Sequence, residues 1–382
     1  MKFSINQPEL ARVAALVQRA ASTRETVPVL SGLLLKASAT AGLSMTCTDL
    51  EIALSAHTLE ANVIEEGTAL VNARYFADLV RYLPNIEIQV FTDDENSRLT
   101  VNYGRSQTHL HLYNPQEFPE TGRQEPTPLL SVSQKTLKEL LRKTSFAAAV
   151  NHFKQVFTGV LFDFTPDQLR VVASDTHRLA MMSFPMSSTH TEPRQLVIPS
   201  RTVAELIRIL DDSEKEVSCG LAGNNIVFTC EEPGFQLTSR LLEGQYPNYL
   251  PVIPGNFVST VKLEPGPLAN ALERAVLMPT DKQSSKQPIR HVTLELKDRE
   301  LRVSAYSQKM GELQEVLEDI SVEGESNVQI SFNTRYLLDV IKVLQGECTT
   351  ISLKFTGSLS PALIQDPCKD DYLYVLVPLI TH

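Results

Sequence analysis

The sequence predicts an α+β fold in which one unit of many antiparallel strands and two helices is repeated three times. Three observations support this prediction. The chain has 382 residues, which is long for one hydrophobic core and favours two or three domains. Two helical patterns recur at a fixed spacing. Short β-branched segments with rough apolar–polar alternation lie between them.

The first recurring element is a short apolar strand, a polar cap position, an Arg and an amphipathic helix. Arg74 corresponds to Arg201 and Leu83 to Leu210, and each pair is 127 residues apart. Arg335 occupies the same place in a third copy. The three copies are ALVNARYFADLVRYLP at 69–84, LVIPSRTVAELIRILD at 196–211 and ISFNTRYLLDVIKVLQ at 330–345.

The second recurring element is a strand followed by a helix, at 4–21, 131–148 and 261–278. Leu10 and Leu137 share the same spacing of 127 residues, and Leu268 sits in the corresponding place. Helical propensity alone would not fix one spacing for two elements, so we interpret them as true repeats. The segments LRVVASD, LVIPS, NIVFTC, QLTSRLL, HVTLELK, LRVSAYS and YLYVLVPL are predicted strands.

Proline-bearing segments at 123–130 and 252–259 are predicted linkers between the repeats. They divide the chain into domains at 1–127, 128–254 and 255–382.

The net charge of −10 and the pI near 5.4 argue against a generic nucleic-acid binder, which usually has a basic surface. The basic residues are not spread evenly, however. In the second repeat Lys138 and Arg142 follow helical spacing on one face, opposite the apolar stripe of Leu137, Leu140 and Leu141. Arg201 and other cations occupy comparable positions on the other helices. If these faces shared one cavity, an acidic chain could contact phosphates without reading bases.

The N-terminal MKFSINQPEL lacks the apolar core of a signal peptide, and no apolar run reaches the roughly 20 residues of a membrane span. We therefore expect a cytoplasmic protein without membrane contact. Five scattered cysteines form no CxxC pair, which predicts reduced, mostly buried thiols.

Motifs for chemistry are weak. No phosphate-binding glycine loop, serine elbow or HExxH helix occurs. His109 and His111 could form a metal pair, but no third ligand is nearby in the sequence, so a surface strand is favoured and no metal or cofactor is expected. Asp49 and Glu51 suit a turn better than a carboxylate pair. Asp175 and His177 in SDTHRLA would need a nucleophile and an oxyanion partner to act as an acid–base site.

The chain resembles the bacterial β sliding clamp family, the processivity subunits of the replicative DNA polymerase III. The resemblance covers essentially the whole chain. It rests on MKF at the start, VPVLSGLLL at 27–35, TDLE at 48–51, NAR-F at 72–76, YGRS at 103–106, SDTHRLA at 174–180, QYPNY at 245–249, FNTRYLLDVI at 332–341 and the final YVLVPL. Thr176 stands where the family motif usually has Gly.

The resemblance implies a head-to-tail dimeric ring of six similar domains, with helices lining the hole, and no catalysis. It implies DNA contacts at Arg24 and at the loop with Asn151, Lys154 and Gln155, in addition to Lys138, Arg142 and Arg201 on the helices. The family paradigm has aromatic residues at positions 155 and 156, where His152 and Phe153 could substitute. Leu110, Leu277 and Met278 are implied at the subunit interface. The ending Ile380, Thr381 and His382 departs from the family's basic-apolar ending.

The resemblance also implies that SDTHRLA forms part of a groove for partner peptides with Leu and Phe anchors, in which His177 and Arg178 donate hydrogen bonds. By position, one wall comprises Phe157, Ser174, Thr176, His177, Arg178 and Leu179. The other comprises Pro247, Pro251, Val252, Leu359, Pro361, Val375, Leu376, Val377, Pro378 and Leu379.

The implied partners are double-stranded DNA without sequence preference, a second copy of the chain, the polymerase III alpha subunit and the clamp-loader delta subunit. Repair polymerases, mismatch-repair proteins and ligase are implied as well, at the nucleoid in the cytoplasm. Two alternatives stay open: a hydrolase that uses Asp175 and His177, and a repeat scaffold that binds proteins but no DNA.

Overall fold

The computed structural model describes residues 1–22, 27–93, 98–119, 126–186, 192–232, 234–278, 290–297 and 299–380. Arg24, Thr381 and His382 lie outside these ranges. The first repeat contains β1 (Lys2–Asn6), α1 (Gln7–Val17), β2 (Gly32–Ser38), β3 (Gly42–Thr48), β4 (Ile52–Thr58), β5 (Asn62–Glu65), β6 (Gly67–Asn72), α2 (Ala73–Tyr82), β7 (Glu87–Thr92), β8 (Arg98–Tyr103) and β9 (Ser106–His111).

The second and third repeats continue the same pattern. The second contains β10 (Thr127–Ser133), α3 (Gln134–Thr144), β11 (Gly159–Phe164), β12 (Gln168–Ser174), β13 (Arg178–Pro185), β14 (Arg194–Pro199), α4 (Ser200–Ile209), β15 (Glu216–Ala222), β16 (Asn225–Cys230) and β17 (Phe235–Arg240). The third contains β18 (Ser259–Leu263), α5 (Pro265–Ala275), β19 (His291–Lys297), β20 (Glu300–Ser307), β21 (Gly311–Leu317), β22 (Ile320–Gly324), β23 (Val328–Asn333), α6 (Thr334–Leu344), β24 (Ile351–Phe355), β25 (Ala362–Gln365) and β26 (Tyr372–Leu376).

The predicted repeat of two helices in each domain is confirmed for the described ranges. Leu10, Leu137 and Leu268, which the repeat aligns, are all buried at 1% exposure or less. The second helix of the first and third repeats begins at an asparagine cap: Asn72 accepts from the backbone N–H of Tyr75, and Asn333 accepts from that of Arg335. The apolar stripe of α3 is buried as predicted.

The chain divides into two compact units, Met1–Lys138 with Ala204–Leu241, and Glu139–Val203 with Leu242–His382. The first unit contains a five-stranded sheet in the order β5-β1-β7-β8-β9 and an eight-stranded sheet in the order β10-β15-β16-β17-β4-β3-β2-β6. The larger sheet runs through two repeats because β17 pairs with β4 in antiparallel register. Helix α1 packs against α2 in this unit.

The second unit repeats this construction. Its nine-stranded sheet has the order β14-β11-β12-β13-β26-β25-β24-β18-β22, and its four-stranded sheet has the order β21-β20-β19-β23. Strand β13 of the second repeat pairs with β26 of the third, from Arg178 opposite Leu376 to Met182 opposite Tyr372. Helix α5 packs against α6. Each unit therefore contains one joint at which a strand of one repeat continues the sheet of the next.

The linker predicted at 123–130 is shorter than expected. Thr127 and Leu130 already belong to β10, where they pair with Leu221 and Cys219 of β15. Their side chains alternate poorly in polarity because β10 is an edge strand of its sheet, so the sequence pattern resembled a linker.

Candidate partner groove and nucleic-acid interface

The segment Ser174–Arg178 forms a hydrogen-bonded turn between β12 and β13. The Asp175 Oδ1 atom accepts from the backbone N–H groups of His177 and Arg178, both at 3.0 Å. Its Oδ2 atom accepts from the Arg178 Nε at 3.0 Å. The Ser174 hydroxyl donates to the carbonyl of Arg178 and accepts from the N–H of Thr176. The carboxylate of Asp175 thus holds the turn, and the geometry gives no support to an Asp175–His177 acid–base pair.

The same turn occurs in the first repeat, between β3 and β4. Asp49 accepts from the N–H groups of Glu51 and Ile52, and Thr48 takes the role of Ser174. The carbonyl that follows each turn residue also pairs alike: Glu51 accepts from the N–H of Arg240, as His177 accepts from that of Val377. The prediction that Asp49 and Glu51 lie in a turn is confirmed, and the two turns are structural equivalents.

Thr176 has a backbone φ of +76° and its counterpart Leu50 a φ of +78°. This left-handed region suits glycine and is strained for a β-branched residue. The replacement of the family's usual Gly by Thr176 therefore has a conformational cost at the rim of the groove.

We expect Thr176→Gly to stabilise the second unit by about 1 kcal/mol, because relief of the backbone strain exceeds the added freedom of the unfolded chain. Hydrogen exchange of the β13 amides would measure the gain. Leu50→Gly is the matched control and should slow exchange in the first unit only. Faster exchange of β13 in the Gly variant would contradict the expectation.

Arg178 is held by contacts that point away from solvent. Its side chain is 9% exposed and forms ion pairs with Asp175 at 3.0 Å and with Asp339 on α6 at 2.7 Å. The guanidinium also lies 4.1 Å from the ring centroid of Tyr336 and 5.7 Å from that of Phe146. Its Nε and Nη1 already donate to carboxylates, so the residue fixes the turn against helix α6.

An apolar cluster lies beneath this turn in the second unit. Tyr246 and Tyr249 are buried in it, and the Tyr249 hydroxyl donates to Asp163 at 2.6 Å. Burial raises the pKa of Tyr249 to about 12, so it remains a neutral donor. The buried members of the cluster are Val156, Phe157, Leu161, Val172, Leu179, Met181, Val197, Tyr246, Tyr249, Leu363 and Val375.

The residues predicted for the groove divide by exposure, all within the second unit. Phe157, Ser174, Leu179, Val375 and Leu376 are buried; Arg178, Pro247, Pro361, Pro378 and Leu379 are half-buried; Thr176, His177, Pro251, Val252, Leu359 and Val377 are exposed. Among the exposed apolar side chains, Leu359 is 71% and Val252 51% accessible. These elements combine a buried apolar floor with exposed apolar edges, an arrangement suited to apolar anchors.

Sequence reasoning missed several cluster members that support this floor. Val172 and Met181 lie on β12 and β13, and Leu363 lies on β25. They contact the cluster through strands of two repeats, so only the pairing of β13 with β26 brings them together. The alternation of apolar residues along these strands predicts burial but not this neighbourhood.

The predicted DNA contacts lie on helices and on one loop. Lys138 pairs with Asp212 at 3.0 Å, and Arg142 pairs with Glu347 at 2.6 Å. Arg201 is exposed on α4. In the loop, Asn151, Lys154 and Gln155 are exposed. The rings of His152 and Phe153 lie 4.4 Å apart and Phe153 is 85% exposed, so this pair offers the aromatic surface that positions 155 and 156 lack.

Lys143, beside Arg142, is buried rather than part of the basic face. Its Nζ atom lies 2.6 Å from carboxylate oxygens of both Glu139 and Glu347. Burial alone would lower the pKa of Lys143, but hydrogen bonds and attraction from the two carboxylates raise the pKa above its ordinary value. This cation connects a helix of the second repeat to the end of α6 in the third.

The predicted interface residues differ in exposure. Leu277 is 70% exposed after the end of α5, and Met278 is partly exposed. Leu110 is only 6% exposed because it packs within its own sheet on β9. His109 and His111 flank it on the exposed side of this edge strand, and His109 contacts Thr100 at 3.0 Å.

Within the described ranges, no group of three or more potential ligands could hold a metal ion. None of the described helices combines the length and apolarity that crossing a bilayer requires. The thiols of Cys47, Cys219 and Cys230 are buried, and burial raises the pKa of Cys219 to about 12, so this thiol is not an activated nucleophile.

Comparison with known proteins identifies the family. Models of the DNA polymerase III beta subunit match residues 1–122 with the N-terminal domain, 131–248 with the central domain and 251–380 with the C-terminal domain. The beta sliding clamp of Vibrio cholerae is 30% identical over 379 residues, and that of Pseudomonas putida 32% over 383 residues. Each comparison covers 99% of this chain and 100% of the relative.

Solved structures agree over the full length. The sliding clamp of Pseudomonas aeruginosa bound to griselimycin has a TM-score of 0.91 at 30% identity, and that of Bacillus subtilis 0.91 at 26%. Each covers 100% of both chains. With three clamp domains in sequence and an α+β fold of antiparallel sheets, the chain belongs to the DNA polymerase III beta subunit family, the beta sliding clamps.

Proposed function

We propose that two copies of the chain associate head to tail into a ring around duplex DNA. Strands β4 and β13 are equivalent in two repeats, and each pairs with the last strand of the following repeat, β17 or β26. The same relation leaves the equivalent strands β21 of the third repeat and β9 of the first at sheet edges. Pairing β21 of one copy with β9 of another would repeat the joint between chains, and this observation carries the proposal.

Family membership makes the chain a non-catalytic processivity subunit of DNA polymerase III. Its role is to tether the polymerase to the template, which requires no cofactor. A topological link also removes the need for tight phosphate binding, so the ring can slide. We further propose domain bounds at 1–127, 128–254 and 255–382, and a cytoplasmic, nucleoid-associated location.

The basic helix positions support a DNA-facing role. Arg74 is 91% exposed and Arg81 is 61% exposed on α2, and Arg335 is exposed on α6. We propose that these cations, with Lys138, Arg142, Arg201, Arg24 and the loop residues Asn151, Lys154 and Gln155, contact the phosphates without reading bases. A repeat scaffold that binds proteins but no DNA would not need them.

The decisive experiment loads labelled protein onto nicked circular DNA with a compatible clamp loader and ATP, after which the DNA is cut once. We expect retention on circles and loss after linearisation, measured by gel filtration at moderate salt. Equal retention on circular and linear DNA would mean ordinary binding and would overturn the ring. The protein's loading by the same loader is verified first by its ATP turnover.

We propose that the groove in the second unit binds Leu- and Phe-bearing peptides of the polymerase alpha subunit and the clamp-loader delta subunit. Repair polymerases, mismatch-repair proteins and ligase would use the same groove. The apolar floor and the exposed Leu359 and Val252 support this role. His177→Ala should weaken peptide binding without creating or removing any turnover, whereas a hydrolase would lose turnover in Asp175→Ala.

We expect Leu277→Asp to shift the dimer toward monomer, because it would place a charge beside the β21 edge. Helix α5 packs on β21, where Arg274 pairs with Glu315, so Leu277 adjoins the proposed interface. Burial of an unpaired carboxylate should weaken association at least tenfold. Sedimentation over a concentration series measures the change.

Leu59→Asp is the matched control for this variant. Leu59 is 75% exposed and precedes β5, at the opposite edge of the sheet from β9. Equal dissociation of both variants would argue against the proposed edges.

A further inference from the structure

A trough of about 630 Å³ lies on one face of the eight-stranded sheet in the first unit. Its floor is formed by strands β2, β3, β4, β16 and β17, and one wall is the segment with Pro115, Phe118 and Pro119. We call it the first-unit trough. The volume lies in the range of ligand-binding sites.

The strand register sets the polar groups of the trough in two rows. In one row Lys36 lies opposite Ser44, and Ser44 lies opposite His57. Adjacent strands are roughly 4.8 Å apart, so the two basic side chains flank the serine hydroxyl at about 10 Å from each other. Thr68 extends this row beyond Lys36.

The second row crosses more strands. Thr46 lies opposite Ser55, Ser55 opposite Gln236, and Gln236 opposite Thr229. The Thr46 and Ser55 hydroxyls are hydrogen-bonded at 3.0 Å, and the Gln236 amide donates to Thr229 at 3.4 Å. This row is a satisfied polar floor that still has acceptor and donor capacity toward the trough.

Charge in the trough opposes the charge of the chain. Among the described residues that line it, Lys36 and His57 are the ionisable ones, and none is a carboxylate. The whole chain has a net charge of −10, so a lining free of acidic groups departs from the average surface. The apolar side chains of Leu34, Phe118 and Phe235 lie beside the basic row.

The equivalent sheet face in the second unit is filled. Lys36 corresponds to Asp163, Thr46 to Val172 and Ser55 to Met181, by their positions on equivalent strands. There Val172 and Met181 belong to the apolar cluster, and Tyr249 covers the face and donates to Asp163. In the first unit the smaller cluster of Leu34, Leu70 and Phe118 leaves the face open. The repeat has therefore replaced apolar groups by hydroxyls and an acidic group by a lysine at this one position.

We propose that the first-unit trough binds an acidic, extended segment of a partner protein, with an apolar side chain against Phe118. Carboxylates of the segment pair with Lys36 and His57, and its backbone bonds to the hydroxyl row. This inference rests on the proposed role of the chain as a docking platform for proteins. Lys36, Ala41, His57 and Thr68 are exposed, so the trough is open along its length and suits a passing chain better than an enclosed small molecule.

The test selects random short peptides displayed on bacteriophage against the immobilised full-length protein. Parallel selections use Lys36→Glu, His57→Glu and, as a control with the same charge change as the first, Lys309→Glu on an exposed turn of the second unit. A further arm uses His177→Ala, which alters the groove. Thermal unfolding of each variant verifies the fold.

We expect a class of peptides rich in Asp and Glu that the wild-type and Lys309→Glu proteins capture. Its members should bind about tenfold more weakly to Lys36→Glu and to His57→Glu, because each change removes a charge-assisted hydrogen bond. They should bind His177→Ala unchanged. Absence of such a class, or equal binding to both trough variants, overturns the inference. Apolar peptides lost only in His177→Ala report on the groove, so failure of the proposed function would be seen separately.

Discussion

Arg178→Ala is expected to destabilise the second unit by about 3 kcal/mol, because it leaves the carboxylate of Asp175 without its partner in a largely buried site. The loss of the ring contact with Tyr336 adds to the effect. Binding of groove peptides should fall as well, since the turn that contains Thr176 and His177 would no longer be tied to α6.

Hydrogen exchange provides the measurement, because a chain of several domains need not unfold in one step. Amides of β13 and β26 should exchange faster, while those of β4 and β17 in the first unit serve as the internal reference. Arg178→Lys keeps the charge but lacks the fork that reaches Asp175 and Asp339 together, so we expect an intermediate loss. Unchanged exchange in Arg178→Ala would mean that the network contributes nothing to stability.

Lys143→Met is expected to cost about 3 kcal/mol, because the side chain of Lys143 is 4% exposed and its removal leaves Glu139 and Glu347 facing each other. Methionine retains the apolar length of the side chain, so the loss reports on charge rather than packing. The double variant Lys143→Met/Glu347→Gln should recover part of the stability, because it removes the repulsion.

The pH dependence of this site has a definite sign. The pKa of Lys143 is raised in the folded protein, so its stabilisation is fully present below the ordinary value of 10.5. It is lost as pH rises through the higher pKa of the folded state. The difference in unfolding free energy between wild type and Lys143→Met should therefore stay constant near neutral pH and shrink only in strong alkali. A difference that shrinks toward acid instead would point to the carboxylates as the titrating groups.

Much of the fold could be predicted because it depends on local periodicity. Leu137, Leu140 and Leu141 follow helical spacing and are buried, and the alternating segments are strands. The fixed spacing of 127 residues between two helical elements indicated repeated domains without any knowledge of their contacts. Asp49 was assigned to a turn because Asp accepts from the backbone N–H groups that follow it.

Other features depend on contacts between distant segments, which local patterns do not encode. Lys143 lies next to Arg142 and reads as one more solvent-facing cation, because its partner Glu347 is far along the chain. Arg178 was expected to donate to a partner peptide, but Asp339 on α6 occupies it. The first-unit trough was not predicted, since its two polar rows are assembled only by the pairing of strands from two repeats.

The two joints within the chain and the proposed joint between chains differ in entropy. Strand β4 meets β17, and β13 meets β26, at the high effective concentration that a covalent linker provides. A β21–β9 joint between copies must in addition offset the translational and rotational freedom of a free subunit, about 4–15 kcal/mol at standard concentration. Three joints of similar construction would therefore have unequal strength. Dilution, or a protein that pulls on the ring, would open it at the joint between chains and leave the two joints within each chain closed.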